Sequence, residues 1–145
     1  MLSEKVKQYL VADGNAQPQD PLKQQYVDVL LDLQVPLDSE LAEFCLSTIG
    51  PTFKGRLYEL YHICWNTIYS SYDLDLDRTW NMLGLPKHYI PLDSFEAEGG
   101  FFYDLYTGSV VEMEMGEKLN ALRNGTLQPQ WTTFNQFLEW YFKLE

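Results

Sequence analysis

Four side chains of the sequence have the ligand chemistry of a zinc site. His62 and Cys64 are two residues apart, and Cys45 and His88 are the other candidates. Structural zinc sites usually combine two short-spaced ligand pairs, whereas this chain has only one such pair. The helical spacing of the apolar residues in this segment also puts His62 and Cys64 on different sides of a helix. We therefore predict no metal ligands and assign both cysteines to the apolar core, where free cysteine is common.

Nucleophilic and phosphate-binding chemistry have no better support in the sequence. Neither Cys45 nor Cys64 has a recognised catalytic flanking sequence, and both fall on apolar stripes, where a thiol is inert. Gly99 and Gly100 lack the spaced glycines and the Lys-Ser/Thr pair of a phosphate-binding loop, so we interpret them as a tight corner before a strand. We predict no catalytic residue and no cofactor.

Paired carboxylates are the remaining enzymatic possibility. Glu96 and Glu98 form one candidate pair, and Glu112 and Glu114 form another. A glycosidase needs two carboxyl groups at a set separation in a cleft, one of them with a raised pKa. Residues two apart on a strand share a face, but a solvated strand has the same pattern. We favour the solvated face over a hydrolytic pair.

Acidic residues dominate the charge of the chain. The sequence has 21 Asp and Glu against 10 Lys and Arg, which gives a net charge of −11. Between Asp73 and Met115, only Arg78 and Lys87 offset the acids. Such a protein is repelled by nucleic acid and by anionic membranes and is attracted to basic partners. The alternative is that the negative charge serves only to keep the protein soluble.

Length and composition indicate one folded domain. The 145 residues suffice for a single core, and 46% of them are hydrophobic. Two cysteines do not form a disulfide framework, and the N-terminus lacks an apolar signal segment. No stretch has the length of a membrane span, so we predict a cytoplasmic protein. Residues 1–33 are predicted to be a helical extension of a core at 34–145.

Helices are predicted before and after a small sheet. The first covers residues 3–11 with Ser3 as its N-cap, the second runs from Asp20-Pro21 to about Leu33, and a third starts at Asp38 or Ser39. Two further segments are ambiguous. The apolar spacing favours a helix over 57–68, although its residue types lean toward strand, and 72–77 is predicted to be an acidic loop before a helix. Thr133 and Gln136 have the capping-box spacing of a last helix.

Thr107-Gly108 is predicted to be the turn of a β-hairpin. Residues 101–106 and 109–115 form its strands, and a short strand at 88–92 precedes it. With a two-residue turn, Tyr106 pairs with Ser109. One face then carries Phe102, Asp104, Tyr106, Val111 and Met113, and this is the face we predict to be the core. The fold class is α+β: a small antiparallel sheet with a central hairpin, packed against several helices.

The segment 89–115, YIPLDSFEAEGGFFYDLYTGSVVEMEM, resembles the central signature of the SUKH superfamily (Smi/Knr-like). In that pattern a short strand near a proline leads through a Gly-rich corner, an aromatic strand and a Thr-Gly turn into a valine-bearing strand. Pro36-Leu37 with Leu41 and Phe44-Cys45 is similar to the early helix of the family. The closing helix at 133–144 matches as well. The resemblance covers most of residues 33–144, and its motifs are apolar and turn residues rather than catalytic ones.

The resemblance implies an immunity protein, because bacterial members of the superfamily typically bind and neutralise a toxin domain, often a nuclease. A nuclease has a basic substrate groove, so an acidic face suits such a partner. We expect a non-enzymatic inhibitor that acts by occlusion. Charge, and not the family, supplies the expected partner-binding residues: Asp73, Asp75, Asp77, Glu96, Glu98, Glu112 and Glu114, with Tyr103 as an aromatic anchor. The alternatives are a regulatory scaffold, as in eukaryotic members linked to cell-wall synthesis and signalling, and a small hydrolase.

Overall fold

The computed structural model describes residues 1–16, 23–56, 58–95 and 98–145. Within these residues the chain forms seven α-helices, one π-helical turn and five strands. The helices are α1 (Glu4–Ala12), α2 (Lys23–Asp32), α3 (Glu40–Ser47), α4 (Ile63–Tyr69), α5 (Tyr72–Asp77), α6 (Glu117–Arg123) and α7 (Phe134–Tyr141). The strands are β1 (Thr52–Lys54), β2 (Glu59–Tyr61), β3 (Tyr89–Pro91), β4 (Gly99–Asp104) and β5 (Val110–Glu114). The predicted α+β class is confirmed.

The first three helices contribute side chains to the main core. Ser3 caps α1 by accepting the Val6 N–H, and Ser39 caps α3 by accepting the Ala42 N–H at 3.2 Å. Both caps satisfy a donor that the helix itself leaves free. The predicted start of the second helix at Asp20-Pro21 lies outside the described residues. Leu2, Val6, Leu10, Tyr26 and Leu30 are all buried in the main core.

The predicted helix over 57–68 is wrong in its first half. Residues 59–61 are strand β2, which pairs antiparallel with β1, and α4 begins only at Ile63. Two sets of hydrogen bonds favour the strand here. One is the β1 ladder, and the other is the N–H of Leu60 donating to the Tyr141 hydroxyl at 3.1 Å. These partners are distant in sequence, so the apolar spacing alone does not reveal them.

The predicted loop over 72–77 is also wrong, because this segment is α5. Asp73 and Asp75 lie in its first turn, where carboxylates interact favourably with the helix dipole. The helix continues directly into a π-helical turn at Arg78–Met82. Residues two apart on a helix lie about 200° apart around its axis. Asp75 therefore does not share a face with Asp73 and Asp77.

The hairpin forms with a wider turn than predicted. Strands β3, β4 and β5 make an antiparallel sheet in that order, and Tyr103 pairs with Val110. The Asp104 carboxylate accepts the Tyr106 N–H at 2.8 Å, and its carbonyl accepts the Gly108 N–H at 2.8 Å. Gly108 has the predicted positive φ, 76°. The pairing shifts by two residues, and an even shift keeps Phe102, Val111 and Met113 on their predicted face. Tyr106 lies in the turn beyond the end of β4 and is 81% exposed, so its predicted place on the core face is wrong.

Both faces of this sheet are buried, so the prediction of one core face is incomplete. The larger core packs on Phe101, Tyr103 and Val110, and α7 covers it with Phe134, Phe137 and Tyr141. The smaller core packs on Phe102, Val111 and Met113, together with Leu83, Leu85, Leu119 and Leu122. Helix α6 supplies the last two of these residues from a stretch that reads as mostly polar in sequence. No helix in the described part of the chain is long and apolar enough to cross a membrane.

Candidate functional site

Asp93 closes the corner between β3 and β4. Its side chain is 1% exposed, and its two carboxylate oxygens accept the N–H groups of Phe95 at 3.0 Å and Phe101 at 3.2 Å. Phe95 and Glu98 both have positive φ, 60° and 61°, which is uncommon for residues with a Cβ. The corner is therefore held in an unusual conformation by a buried carboxyl group.

Burial is the main influence on the Asp93 carboxyl and raises its pKa to about 7. The two N–H donors and the Arg78 charge oppose that rise, whereas Asp75 adds to it. A carboxyl group with such a pKa can serve as a general acid or base at neutral pH. Its 1% exposure leaves no path for a substrate. The geometry makes Asp93 a structural residue that holds the corner.

Asp75 is held in an internal ion pair. Its Oδ1 accepts a hydrogen bond from Arg78 Nη1 at 2.8 Å, and only 13% of its side chain is exposed. Burial raises the pKa of Asp75, while the hydrogen bond from Arg78 lowers it. The Arg78 guanidinium lies over the Phe95 ring at 5.6 Å, and its Nε and Nη2 have no hydrogen-bond partner among the described residues. Asp75 is consequently not free to pair with a partner protein.

Asp73 and Asp77 lie on the solvent side of α5. Both residues are exposed, and Asp77 accepts a hydrogen bond from Asn81 Nδ2 at 2.6 Å. They are four residues apart, so they share one helix face. The predicted row of three carboxylates is thus reduced to two on the surface and one inside.

Glu98 and Glu114 lie at the end of the hairpin opposite its turn, where the Met115 N–H donates to the Glu98 carbonyl at 3.1 Å, and Glu112 follows two residues closer to the turn, paired with Phe101. Glu114 pairs with Gly99 across the strands and forms an ion pair with Lys118 at 3.1 Å. Glu112 is half-buried, and its backbone N–H and carbonyl both bond to the Gln130 side chain, which continues the ladder beyond β5.

The phenol of Tyr58 lies among these acids. After burial, Glu112, Asp93 and Glu114 are the groups that raise its pKa. We name the surface carboxylates Glu98, Glu112 and Glu114, together with Tyr58 and the underlying Asp93, the acidic corner. It contains three of the predicted partner-binding residues. Glu96, a fourth, lies outside the described residues.

Tyr103 is not an exposed aromatic anchor, and that prediction is wrong. Its side chain is 2% exposed, and its ring packs edge-on against Phe134 with centroids 5.9 Å apart. Burial raises the pKa of Tyr103 to about 12, against a hydrogen bond with Ser39 that lowers it. The residue lies on the strand face that supports the larger core, which sequence alternation alone did not distinguish from the other face.

Three of the four candidate zinc ligands do come together. A sulfur atom each from Cys45 and Cys64 and a ring nitrogen of His62 lie within 4.8 Å of one another, and all three residues are buried. We predicted His62 to lie within a helix, but it is the N-cap of α4. Its Nδ1 accepts the Trp65 N–H at 3.2 Å, and its Nε2 lies 3.0 Å from the Cys45 carbonyl oxygen.

These bonds limit what the cluster can bind. If Nδ1 accepts from Trp65, Nε2 carries the proton and donates to the carbonyl, so neither nitrogen offers a lone pair to a metal. His88, the fourth candidate, instead stacks on Tyr106. A metal would have to break the cap of α4 to use His62. The arrangement resembles a packed core with satisfied polar groups more than a metal site.

Sequence reasoning missed Asp93 and Tyr58, although both leave a trace in the sequence. Asp93 is a charged residue directly after the apolar strand segment 89–92, where a buried strand end often carries a polar group with a specific role. Tyr58 gives no comparable signal, because its position depends on the β1–β2 pairing. No family model, curated protein or solved structure matches this chain.

Proposed function

We propose that the protein is a non-enzymatic inhibitor that binds a basic toxin domain of the nuclease type and neutralises it by occlusion. The observation that carries this proposal is the acidic corner, where Glu98, Glu112 and Glu114 reach the surface at one end of the hairpin. The resemblance of residues 89–115 to SUKH immunity proteins supports the same function.

Electrostatics favours a basic partner for this surface. The Glu112 carboxylate adds to the field of the exposed Glu98 and Glu114, and the whole protein carries −11. A carboxylate-rich patch accelerates encounter with a basic surface and opposes contact with anionic molecules. A nuclease groove that binds phosphates has the complementary charge. The complex should form quickly and weaken with salt.

Among the described residues, Asp93 is the acid whose pKa is raised to about 7, and its burial supports inhibition rather than catalysis. A hydrolase of the carboxylate-pair type needs a raised-pKa acid that faces its substrate. The Asp93 carboxyl group is not exposed at the surface, and it holds the corner by accepting two backbone N–H groups. The exposed glutamates are left as contact groups.

The proposal is tested by co-purification from the native organism and by co-expression with the recovered protein. We expect the tagged protein to co-purify a basic protein, and co-expression of this chain to abolish the toxicity of that protein. Recovery of a cell-wall enzyme or a signalling protein with no toxicity would contradict the proposal and favour a scaffold. Turnover of a glycoside by the purified chain, lost in Glu112→Gln, would contradict it as well.

A further inference from the structure

The hairpin turn presents one rigid, exposed aromatic ring. The Tyr106 side chain is 81% exposed, yet its ring stacks on the His88 imidazole with centroids 4.3 Å apart and planes inclined by 13°. The Tyr106 N–H bonds to the Asp104 carboxylate at 2.8 Å, which fixes the backbone of the turn. One ring face is therefore covered, and the other is open to a partner without further ordering.

Tyr106 stands between two clefts. On one side is a cleft of about 330 Å³ lined by Asp38, Ser39, Thr107 and Thr133. On the other is a cleft of about 160 Å³ lined by Gln34, Lys87 and His88. Tyr106 and Leu105 line both of them. We name Tyr106 with its two flanking clefts the Tyr106 ridge.

The charges of the ridge favour a cation. In the part of the chain that the structure describes, Asp38 has no hydrogen bond or ion pair. The carboxylate of Asp32, which lines a neighbouring cleft that shares Lys87 and Leu105, has none there either. Glu40 in the larger cleft is engaged by the Met1 amino group and the Asn135 N–H. The one lysine of the smaller cleft, Lys87, lies over the Trp80 ring at 5.7 Å.

We propose that the Tyr106 ridge docks an arginine side chain from a basic segment of a partner protein. The guanidinium stacks on the open face of Tyr106 while its charge is met by Asp38 in the larger cleft. Arginine suits this site better than lysine, because its planar group both stacks on an aromatic ring and forms paired hydrogen bonds with a carboxylate. Pro36, near Asp38 in the chain, adds apolar surface to the lining of the same cleft.

The inference rests on the proposed function only for the basic character of the partner, and it adds a second point of contact. The acidic corner and the turn lie at opposite ends of the six-residue strand β4, which spans roughly 20 Å. A partner that reaches both ends would cover the whole hairpin. The two contacts can be removed separately by mutation.

The probe is the peptide acetyl-Gly-Arg-Gly-Arg-Gly-amide, titrated into the ¹⁵N-labelled protein and followed by amide chemical shifts. We expect saturable shifts at Asp38 and at residues 104–108. The matched lysine peptide should bind about fivefold more weakly, since it loses the stacking and the paired hydrogen bonds. Tyr106→Phe keeps the ring and should bind as the parent does. Tyr106→Ala and Asp38→Asn should each weaken binding about fivefold to tenfold.

Three results would overturn the inference. They are shifts confined to the Glu98, Glu112 and Glu114 end, equal binding of the two peptides, and unchanged binding by Tyr106→Ala. The first of these leaves the proposed function intact, because the acidic corner would still bind a cation. A failure of the proposed function is seen separately, as a co-purified protein that is not toxic. Tyr106 is exposed, so its variants are expected to fold, and the dispersion of their amide spectra checks this.

Discussion

Gly100 lies directly against the carboxylate of Asp93, so close that a Cβ at residue 100 would overlap Asp93 Oδ1. The same carboxylate holds the amides of Phe95 and Phe101. The absent side chain of Gly100 and the buried acid thus form one unit, which sets the corner from which β4 and the acidic corner extend.

Gly100→Ala should destabilise the protein by about 1–3 kcal/mol or more, because the new methyl group must displace a carboxylate that is fixed by two hydrogen bonds. Urea denaturation measures the change in the free energy of unfolding. Gly99→Ala is the matched control, since its Cβ would meet the Tyr58 hydroxyl, the far end of a partly exposed side chain, at 2.8 Å. Equal losses in the two variants would argue against the role of Asp93.

Stability should fall as pH rises from about 4 to above 7. The pKa of Asp93 is raised from 3.8 to about 7 in the folded protein, so the folded state retains a proton that the unfolded state has lost. The stabilisation is complete below the unfolded pKa and disappears above the folded one, an effect on the order of 4 kcal/mol. The raised pKa of Asp75 acts in the same direction.

Asp93→Asn removes this titration and should flatten the pH dependence of the unfolding free energy. The amide keeps one acceptor oxygen, so the variant imitates the protonated acid and loses one of the two hydrogen bonds. Asp28→Asn, at an exposed position, is the control, and its unfolding free energy should fall with pH as much as that of the parent. A parent-like pH profile in Asp93→Asn would show that another group causes the dependence.

Tyr141→Phe should cost about 1–3 kcal/mol of unfolding free energy, because it leaves buried backbone groups without a partner. The Tyr141 hydroxyl accepts the Leu60 N–H at 3.1 Å and lies 3.0 Å and 2.6 Å from the carbonyl oxygens of Phe53 and Tyr58. The hydroxyl group therefore links α7 to both β1 and β2. Tyr106→Phe, at an exposed position, should change stability by less than about 0.5 kcal/mol. Similar losses in both would refute this account of Tyr141.

Neither thiol should react with a disulfide reagent such as DTNB in the folded protein. Cys45 and Cys64 are buried, and the hydrogen bond between the Cys45 thiol and Cys64, followed by burial, raises the pKa of Cys45 well above its ordinary value. Thiolate is the reactive form, so both exposure and charge are unfavourable. In guanidinium chloride both thiols should react at once. Rapid reaction without denaturant would show that the α3–α4 contact opens readily.

The sequence predicted the elements whose signals are local. The caps at Ser3, Ser39 and Thr133 were readable because an N-cap depends on residues within one turn. The turn at Gly108 was readable for the same reason. Strand β2 was missed because its partners, β1 and Tyr141, are brought together only by the fold. The spacing of apolar residues over 57–68 predicted a helix, but the helix begins only at Ile63.

The candidate site was predictable in part. Glu112 and Glu114 lie in the second strand of the hairpin, as predicted. Glu98 comes to lie opposite Met115 because the pairing is shifted by two residues from the predicted register. Asp75 was misplaced, since 72–77 was predicted to be an acidic loop but folds as a helix in which Asp75 pairs with Arg78. Tyr103 was misplaced because both faces of β4 carry apolar side chains, and alternation cannot tell which of two buried faces packs more deeply.

The central claim is that the acidic corner binds a basic toxin domain. The most direct measurement is the dissociation constant of the complex with the co-purified toxin, for the parent and for the triple variant Glu98→Gln, Glu112→Gln and Glu114→Gln, at low and raised salt. The control triple variant is Glu4→Gln, Asp13→Asn and Asp28→Asn, which removes the same charge from exposed positions of α1 and α2 and the loop between them.

We predict that the corner variant binds at least about tenfold more weakly, with a reduced dependence on salt, while the control stays within about twofold of the parent. Equal weakening by the two triple variants would contradict the claim, because net charge alone would then account for the attraction. Unchanged binding by the corner variant would contradict it outright and place the interface elsewhere on the protein.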